Sequence, residues 1–270
     1  MRFKSLGGRI CGPLFLFAAQ LCPAAECFGP TLDAQAGVEH SEWHEFASSG
    51  KRLVREQGTL PFAALEAKLA CGRGWLAARG SVAQGDWDYS GVSSTGSALN
   101  TTSRRSNSEL VLTFSYAATP RLEPFFSAGI SSAKRDIRSA GPVLGYPEEY
   151  RLYPLHAGLQ WRPAVFEDRL LLAARVGTAL RPQVNVQLPG RDPLHLDLGR
   201  TRSAALSAEW SVGKQVVGQW VLATGWQQTR INASSPGVVT RDGVPTGIAS
   251  QPRIQLTRMH VSLMWRKLLE

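Results

Sequence analysis

From about residue 34 onward, apolar positions recur at every second residue. In the segment SELVLTFSY, Leu110, Leu112, Phe114 and Tyr116 fall on one face, and Glu109, Val111, Thr113 and Ser115 on the other. LYPLHAGLQW sets Tyr153, Leu155, Ala157, Leu159 and Trp161 against Pro154, His156, Gly158 and Gln160. RLLLAARVGTALR places Leu170, Leu172, Ala174, Val176 and Leu180 opposite Arg169, Ala173, Arg175, Gly177 and Arg181. In MHVSLMW, Met259, Val261, Leu263 and Trp265 oppose Arg258, His260, Ser262 and Met264. A period of two puts alternate side chains on opposite faces of an extended chain, so these segments read as strands with one apolar face.

Ten strands follow from that pattern, near 34–46, 57–70, 74–88, 106–117, 121–137, 148–162, 168–181, 201–212, 216–231 and 253–266. Short links (71–74, 118–121, 162–168, 212–215) alternate with longer polar ones (47–56, 89–105, 138–147, 182–200, 232–252). Alternating short and long connections describe an up-and-down barrel with short turns at one rim and loops at the other. A soluble sandwich or lipocalin-like barrel would show similar alternation, but several of these strands exceed the usual length of about five or six residues. The polar face carries charges of both signs, suited to pairing inside a narrow lumen: Glu39, Glu66, Lys68, Arg79, Glu109, Arg175, Arg181, Glu209, Arg258 and Arg266, with His156 and His260 among them. Trp75, Tyr153, Trp161, Trp210, Trp226 and Trp265 lie near strand ends, where an interfacial aromatic girdle belongs. The fold class expected is an all-β, ten-stranded antiparallel up-and-down transmembrane barrel.

Composition changes little in this picture. A hydrophobic content of 43% and a mean hydropathy of −0.13 look soluble, and past residue 30 no apolar run reaches the length of a spanning helix. A barrel escapes that test because only alternate residues face lipid. The amino terminus adds a location. Arg2, Lys4 and Arg9 precede the apolar stretch ICGPLFLFAAQL, and small residues follow in CPAAECFGP, as in a secretory signal cut near Ala24 or Ala25. The organisation expected is a removed signal over 1–25 and a barrel over 34–267. Loss of the leader lowers the net charge from +9 to about +7. A basic surface in that compartment matches anionic lipid headgroups or lipopolysaccharide phosphates better than nucleic acid, for which no motif is present. Cys71 is the one certain mature cysteine, so neither a disulfide framework nor a metal spacing is expected.

Residues 34–266 resemble a group of proteobacterial ten-stranded outer-membrane barrels without an assigned reaction. The likeness rests on SEWHEFASSGKRLVREQG (41–58), GDWDYSG (85–91), RDIRSAGPVLGYPEEY (135–150), LRPQVNVQLPGRD (180–192) and TRMHVSLMW (257–265). IQLTRMHVSLMW is also similar to the carboxy-terminal strand of bacterial outer-membrane proteins, although Trp265 is followed by RKLLE. The resemblance implies an outer-membrane location, with membrane lipid and the barrel-assembly machinery as partners. It implies no cofactor.

Three chemistries are worth weighing. The layout also resembles the omptin proteases, ten-stranded barrels with Asp-x-Asp at the rim and an Asp–His pair opposite that activate water. Asp86 and Asp88 match the first element, and Asp192, His195 and Asp197 in RDPLHLD are candidates for the second, with the His-x-Asp order reversed. Both acids share parity with Leu76, Ala78 and Val82, which points them away from the lumen. Outer-membrane lipid hydrolases use His-x-Ser on one strand; His260 and Ser262 have that spacing but face the lumen and lack the following Asn. A narrow anion pore is the third, although ten strands enclose a lumen that side chains can largely fill. His40, Glu42, His44 and Glu45 offer a metal-ligand set on the first loop's rim, but a polar rim explains them more simply. The favoured expectation is a structural or surface-interaction barrel with a filled lumen, and omptin-like proteolysis is the alternative.

Overall fold

The structure, a computed structural model, describes residues 27–92, 97–166, 169–215 and 218–269. Its strands are β1 (Cys27–Phe46), β2 (Arg52–Cys71), β3 (Gly74–Val92), β4 (Ala98–Tyr116), β5 (Leu122–Ile137), β6 (Pro147–Trp161), β7 (Leu170–Val186), β8 (Leu194–Asp197), β9 (Thr201–Gln215), β10 (Gly218–Ile231), β11 (Gly237–Arg241), β12 (Val244–Ala249) and β13 (Arg253–Leu268). Ten of them, β1–β7 with β9, β10 and β13, pair antiparallel with their neighbours, and β13 closes the ring on β1. Closure leaves no unpaired edge, which is the condition for a sheet to cross lipid. The segment assigned to the signal lies outside the described residues.

The wall is inverted relative to a soluble protein. Val38, Leu65, Val82, Leu110, Ile130, Val176, Leu206 and Val261 each expose half or more of their surface. Asp33, Gln35, Ser103, Arg105, Ser127, Arg135, His156 and Ser262 are buried inside. Apolar outside and polar inside is the arrangement of a transmembrane barrel.

The barrel strands run from 14 to 20 residues, whereas a bilayer needs about 9–11. The apolar band occupies only their part nearer the short turns. In β1 the outward positions pass from Val38 to His40, Glu42 and His44, and in β3 from Val82 to Gln84, Asp86 and Asp88. The ladder continues beyond the band where both faces are polar. That is why hydropathy alternation stopped short: β2 begins at Arg52 rather than 57, β3 ends at Val92 rather than 88, and β4 begins at Ala98 rather than 106. Most of the expected loop 89–105 is therefore strand. Two other long connections are also structured, since β8 folds back on β7 and β11 pairs with β12.

Three further expectations are corrected. Arg181 was assigned to the lumen by parity, but its φ is +44° at a register shift between β6 and β7, and the bulge leaves it exposed. Trp75 faces inward instead of joining the girdle: its indole Nε1 donates to Glu123 (3.1 Å) and Lys68 Nζ sits 3.9 Å above its ring. Cys71 is disulfide-bonded, where no disulfide was expected; its register partner across β1–β2 is Cys27. On the outer wall, Trp161 and Trp210 stay exposed near the short turns, while Trp265 is the direct cross-strand partner of the exposed Trp220, which the sequence reading omitted. Trp226 lies higher, opposite Met259 and Leu206. Tyr153 is on the outer face of β6, opposite Leu180.

Candidate functional site

The lumen is filled in layers. The highest lies beyond the apolar band, where β1, β2, β4, β5 and β6 converge on Glu56. One Glu56 oxygen accepts from Ser103 Oγ (2.5 Å), Arg105 Nη2 (2.7 Å) and Arg105 Nε (3.1 Å). The other accepts from Arg135 Nε (2.7 Å) and also from Arg135 Nη2. Arg135 Nη1 reaches Glu45 (2.7 Å) and Glu148 (2.8 Å). Tyr150 OH donates to Glu148 (2.6 Å), and Trp43 Nε1 donates to Glu45 (2.9 Å). Arg105 stacks 4.5 Å from the Trp43 ring and 4.6 Å from Trp87. Glu56, Arg105 and Arg135 are at most 2% exposed. Charges so far from water persist only when paired and hydrogen-bonded, and here two guanidiniums meet three carboxylates.

An apolar cluster adjoins this layer. Val184 and Val186 from β7, Leu194 and Leu196 from β8, Leu198, Val239 from β11, and Ile254 and Leu256 from β13 are all buried together with Trp43, Leu60, Trp87 and Tyr150. The β11–β12 hairpin is tied down by Asp192, which accepts from Thr240 Oγ1 (2.6 Å), Gly243 N (3.0 Å) and Asp242 N (3.2 Å). These bonds, from the Thr240 hydroxyl first and the Gly243 N–H next, hold the Asp192 carboxyl below its usual range. Asp192 is thus a hairpin anchor.

Below the upper layer is a cavity of about 70 Å³, reached by Asn107, Glu109, His156, Ser203, Gln227 and Arg258. In this middle zone Arg258 lies 3.7 Å from Glu39, Arg79 donates to Gln35 (2.5 Å), Arg175 to Gln227 (3.4 Å), and His156 meets Ser127 Oγ at 3.5 Å. Glu66 is the cross-strand partner of Arg79. Lowest, Arg266 pairs with Asp33 (2.8 Å) and Glu209 (3.2 Å). The sequence had marked most of this middle and lower set. It missed Glu45, Glu56, Arg105, Arg135 and Glu148, which include the three best-buried charges among the described residues.

The enzyme candidates do not assemble. Asp86 and Asp88 point outward from β3, and Asp86 pairs with Arg138 (3.3 Å) with both side chains half-exposed. His195 and Asp197 are exposed on β8, with β4, β5, β6 and β7 between it and β3, where His195 Nδ1 bonds Asn185 and Asp197 accepts from Gln183 (3.1 Å). Trp87 and Tyr89, on either side of Asp88, are buried in the lumen. Ser262 Oγ accepts from Gln35 (2.6 Å), and His260 packs edge-on to Phe62 (5.7 Å between centroids), so the two form no catalytic couple. Glu45 turns inward while His40, Glu42 and His44 turn outward, which splits the suggested metal set.

No protein-family model matches the sequence, and no curated protein does. In structure the chain is similar to the outer-membrane protease OmpT of Escherichia coli, with a TM-score of 0.56 at 9% identity over 89% of this chain and 97% of that one. It is also similar to the translocator domain of the autotransporter NalP from Neisseria meningitidis (TM-score 0.43, 11% identity, 93% and 92% covered). Ail of Yersinia pestis matches at a TM-score of 0.39 and 8% identity, over 88% and 99%. The OmpT likeness bears on fold alone, and the looser two add no weight. The chain has the fold of an outer-membrane β-barrel.

Proposed function

We propose that this chain is an integral outer-membrane barrel, exported by its amino-terminal segment, whose role is structural and surface-interacting. Catalysis and conduction are not part of this reading. The observation that carries it is the filled lumen, in which the Glu56–Arg105–Arg135 cluster adjoins a buried apolar cluster. A hydrolase of the omptin type needs acids and a histidine facing one another across an open mouth, and here those residues point outward on separate strands. The exposed loops and upper wall are left to meet partners.

Two measurements test this. Membrane-fraction protein should migrate differently in gels before and after boiling, because a closed barrel resists detergent until heated; purely soluble protein would end the reading. In planar bilayers the refolded protein should show no steady open-channel conductance, and a stable conducting state would overturn the closed lumen.

A further inference from the structure

Charge on the upper outer wall is segregated around the ring. The outward positions of β1–β6 mix acids (Glu42, Asp86, Asp88, Asp136, Glu149) with bases. Among the described side chains, the outward positions of β7, β9, β10 and β13 hold no Asp or Glu. They hold Arg181, Arg202, Arg230 and Arg253, and Arg200 extends the row just before β9. Arg202 and Arg230 are direct cross-strand partners. Like charges so placed are mutually destabilising, so a sheet carrying them without a counter-charge is built for an anion. None of Arg181, Arg200, Arg202 and Arg230 makes an ion pair with a described residue, and all four are exposed. Asp197 of β8, an exposed acid on this side, accepts from Gln183 and forms no ion pair with any of the four.

Height identifies the anion. Arg230 lies four residues above Trp226 on β10, and Arg202 four above Leu206, which is 57% exposed, on β9. On strands tilted near 45° that is roughly 9–10 Å above the apolar band. An arginine stem can follow the wall down and place its head at the polar boundary of the outer leaflet. Two neighbouring guanidinium forks offer convergent N–H donors, which suits a phosphate oxygen better than a single cation would.

We propose that the β7–β10 arginine patch, centred on Arg202 and Arg230, binds phosphate-bearing lipid headgroups of the outer leaflet. The proposal rests on the reading of the chain as an outer-membrane barrel and adds the partner and its site. The test uses full-length mature protein refolded in zwitterionic detergent and titrated with lipid A carrying both phosphates, or with the same lipid after phosphatase treatment. The native protein should prefer the phosphorylated lipid about tenfold or more, and the preference should shrink with added salt. The double variant R202Q/R230Q should lose it, while R104Q/R138Q on the mixed-charge side should keep it. Equal affinity for the two lipids would overturn the proposal. So would equal loss in both double variants, which would mean net charge alone, or heparin binding at the patch without any lipid preference. Heat-modifiable mobility of the same samples separates the two readings: its absence strikes the barrel, and its presence without a lipid preference strikes only the patch.

Discussion

Glu56 shows what one residue does here. Five donor contacts from Ser103, Arg105 and Arg135 satisfy its two oxygens, and the residue is fully buried. Replacing Glu56 by Gln removes the carboxylate that Arg105 faces, leaving that guanidinium buried and unpaired while Arg135 keeps Glu45 and Glu148, at a cost of about 3–5 kcal/mol. Denaturant unfolding in micelles, followed by tryptophan fluorescence, should show that loss, whereas Asp86→Asn, which breaks an exposed pair, should change stability by about 1 kcal/mol or less. Asp192 behaves differently because its carboxyl is held below the ordinary value. The hydrogen bonds it accepts contribute stability while it is ionised, above the unfolded value, and that contribution fades as pH falls through the lowered one. Proteolysis of the 237–249 hairpin should therefore quicken only in acid for the native protein, and already at neutral pH for Asp192→Ala. The sequence revealed Glu66, Lys68 and Glu209 because apolar neighbours on the opposite face fixed the parity. Glu45, Glu56, Arg105 and Arg135 lie above the lipid band, where the outer face is polar too and alternation carries no sign of inside or outside.

Strands were legible as elements, and their ends were not, for the same reason. What the sequence pattern also hid is how facing glycines make room for large lumen side chains. A Cβ on Gly58 would lie 2.3 Å from Trp87 Cδ1, and one on Gly85 would lie 2.6 Å from Leu60 Cδ2. The β2–β3 pairing is interrupted between Gln57↔Asp88 and Phe62↔Ala83 with the register unchanged on both sides. Pro61, which has no N–H to give, falls within that interval. Trp87 thus lies flat against the wall beneath Arg105 only because residue 58 has no side chain. Gly58→Val should push the indole off Arg105 and destabilise the barrel by about 1–3 kcal/mol. Near-ultraviolet circular dichroism of the indoles should change with it, and an unaltered spectrum and midpoint would refute this packing account. Arg181 is the complementary failure of pattern reading, because a single bulge reverses parity and no composition rule announces it.

At the scale of the molecule, two ionic layers cross the lumen on either side of the middle zone that holds Arg258 and Glu39. The upper is centred on Glu56 and Arg135, and the lower joins Arg266 to Asp33 and Glu209, with Trp75 and Lys68 stacked near Glu123 at the same end. A ten-stranded ring is narrow enough for either layer to obstruct it, since eight strands already leave room only for side chains. Closure should therefore be redundant. Truncating the upper layer alone, in Glu56→Ala/Arg135→Ala, should weaken the fold yet leave the bilayer electrically silent, because Arg266 and its partners still block the path. Adding Asp33→Ala and Arg266→Ala should be needed before steady conductance appears. If the upper pair of substitutions alone opened a stable pore, the lower layer would be no barrier, and the lumen would be better described as a channel with one gate. Retained mobility shift on heating in each variant would show that conductance was read from intact barrels and not from disrupted membranes.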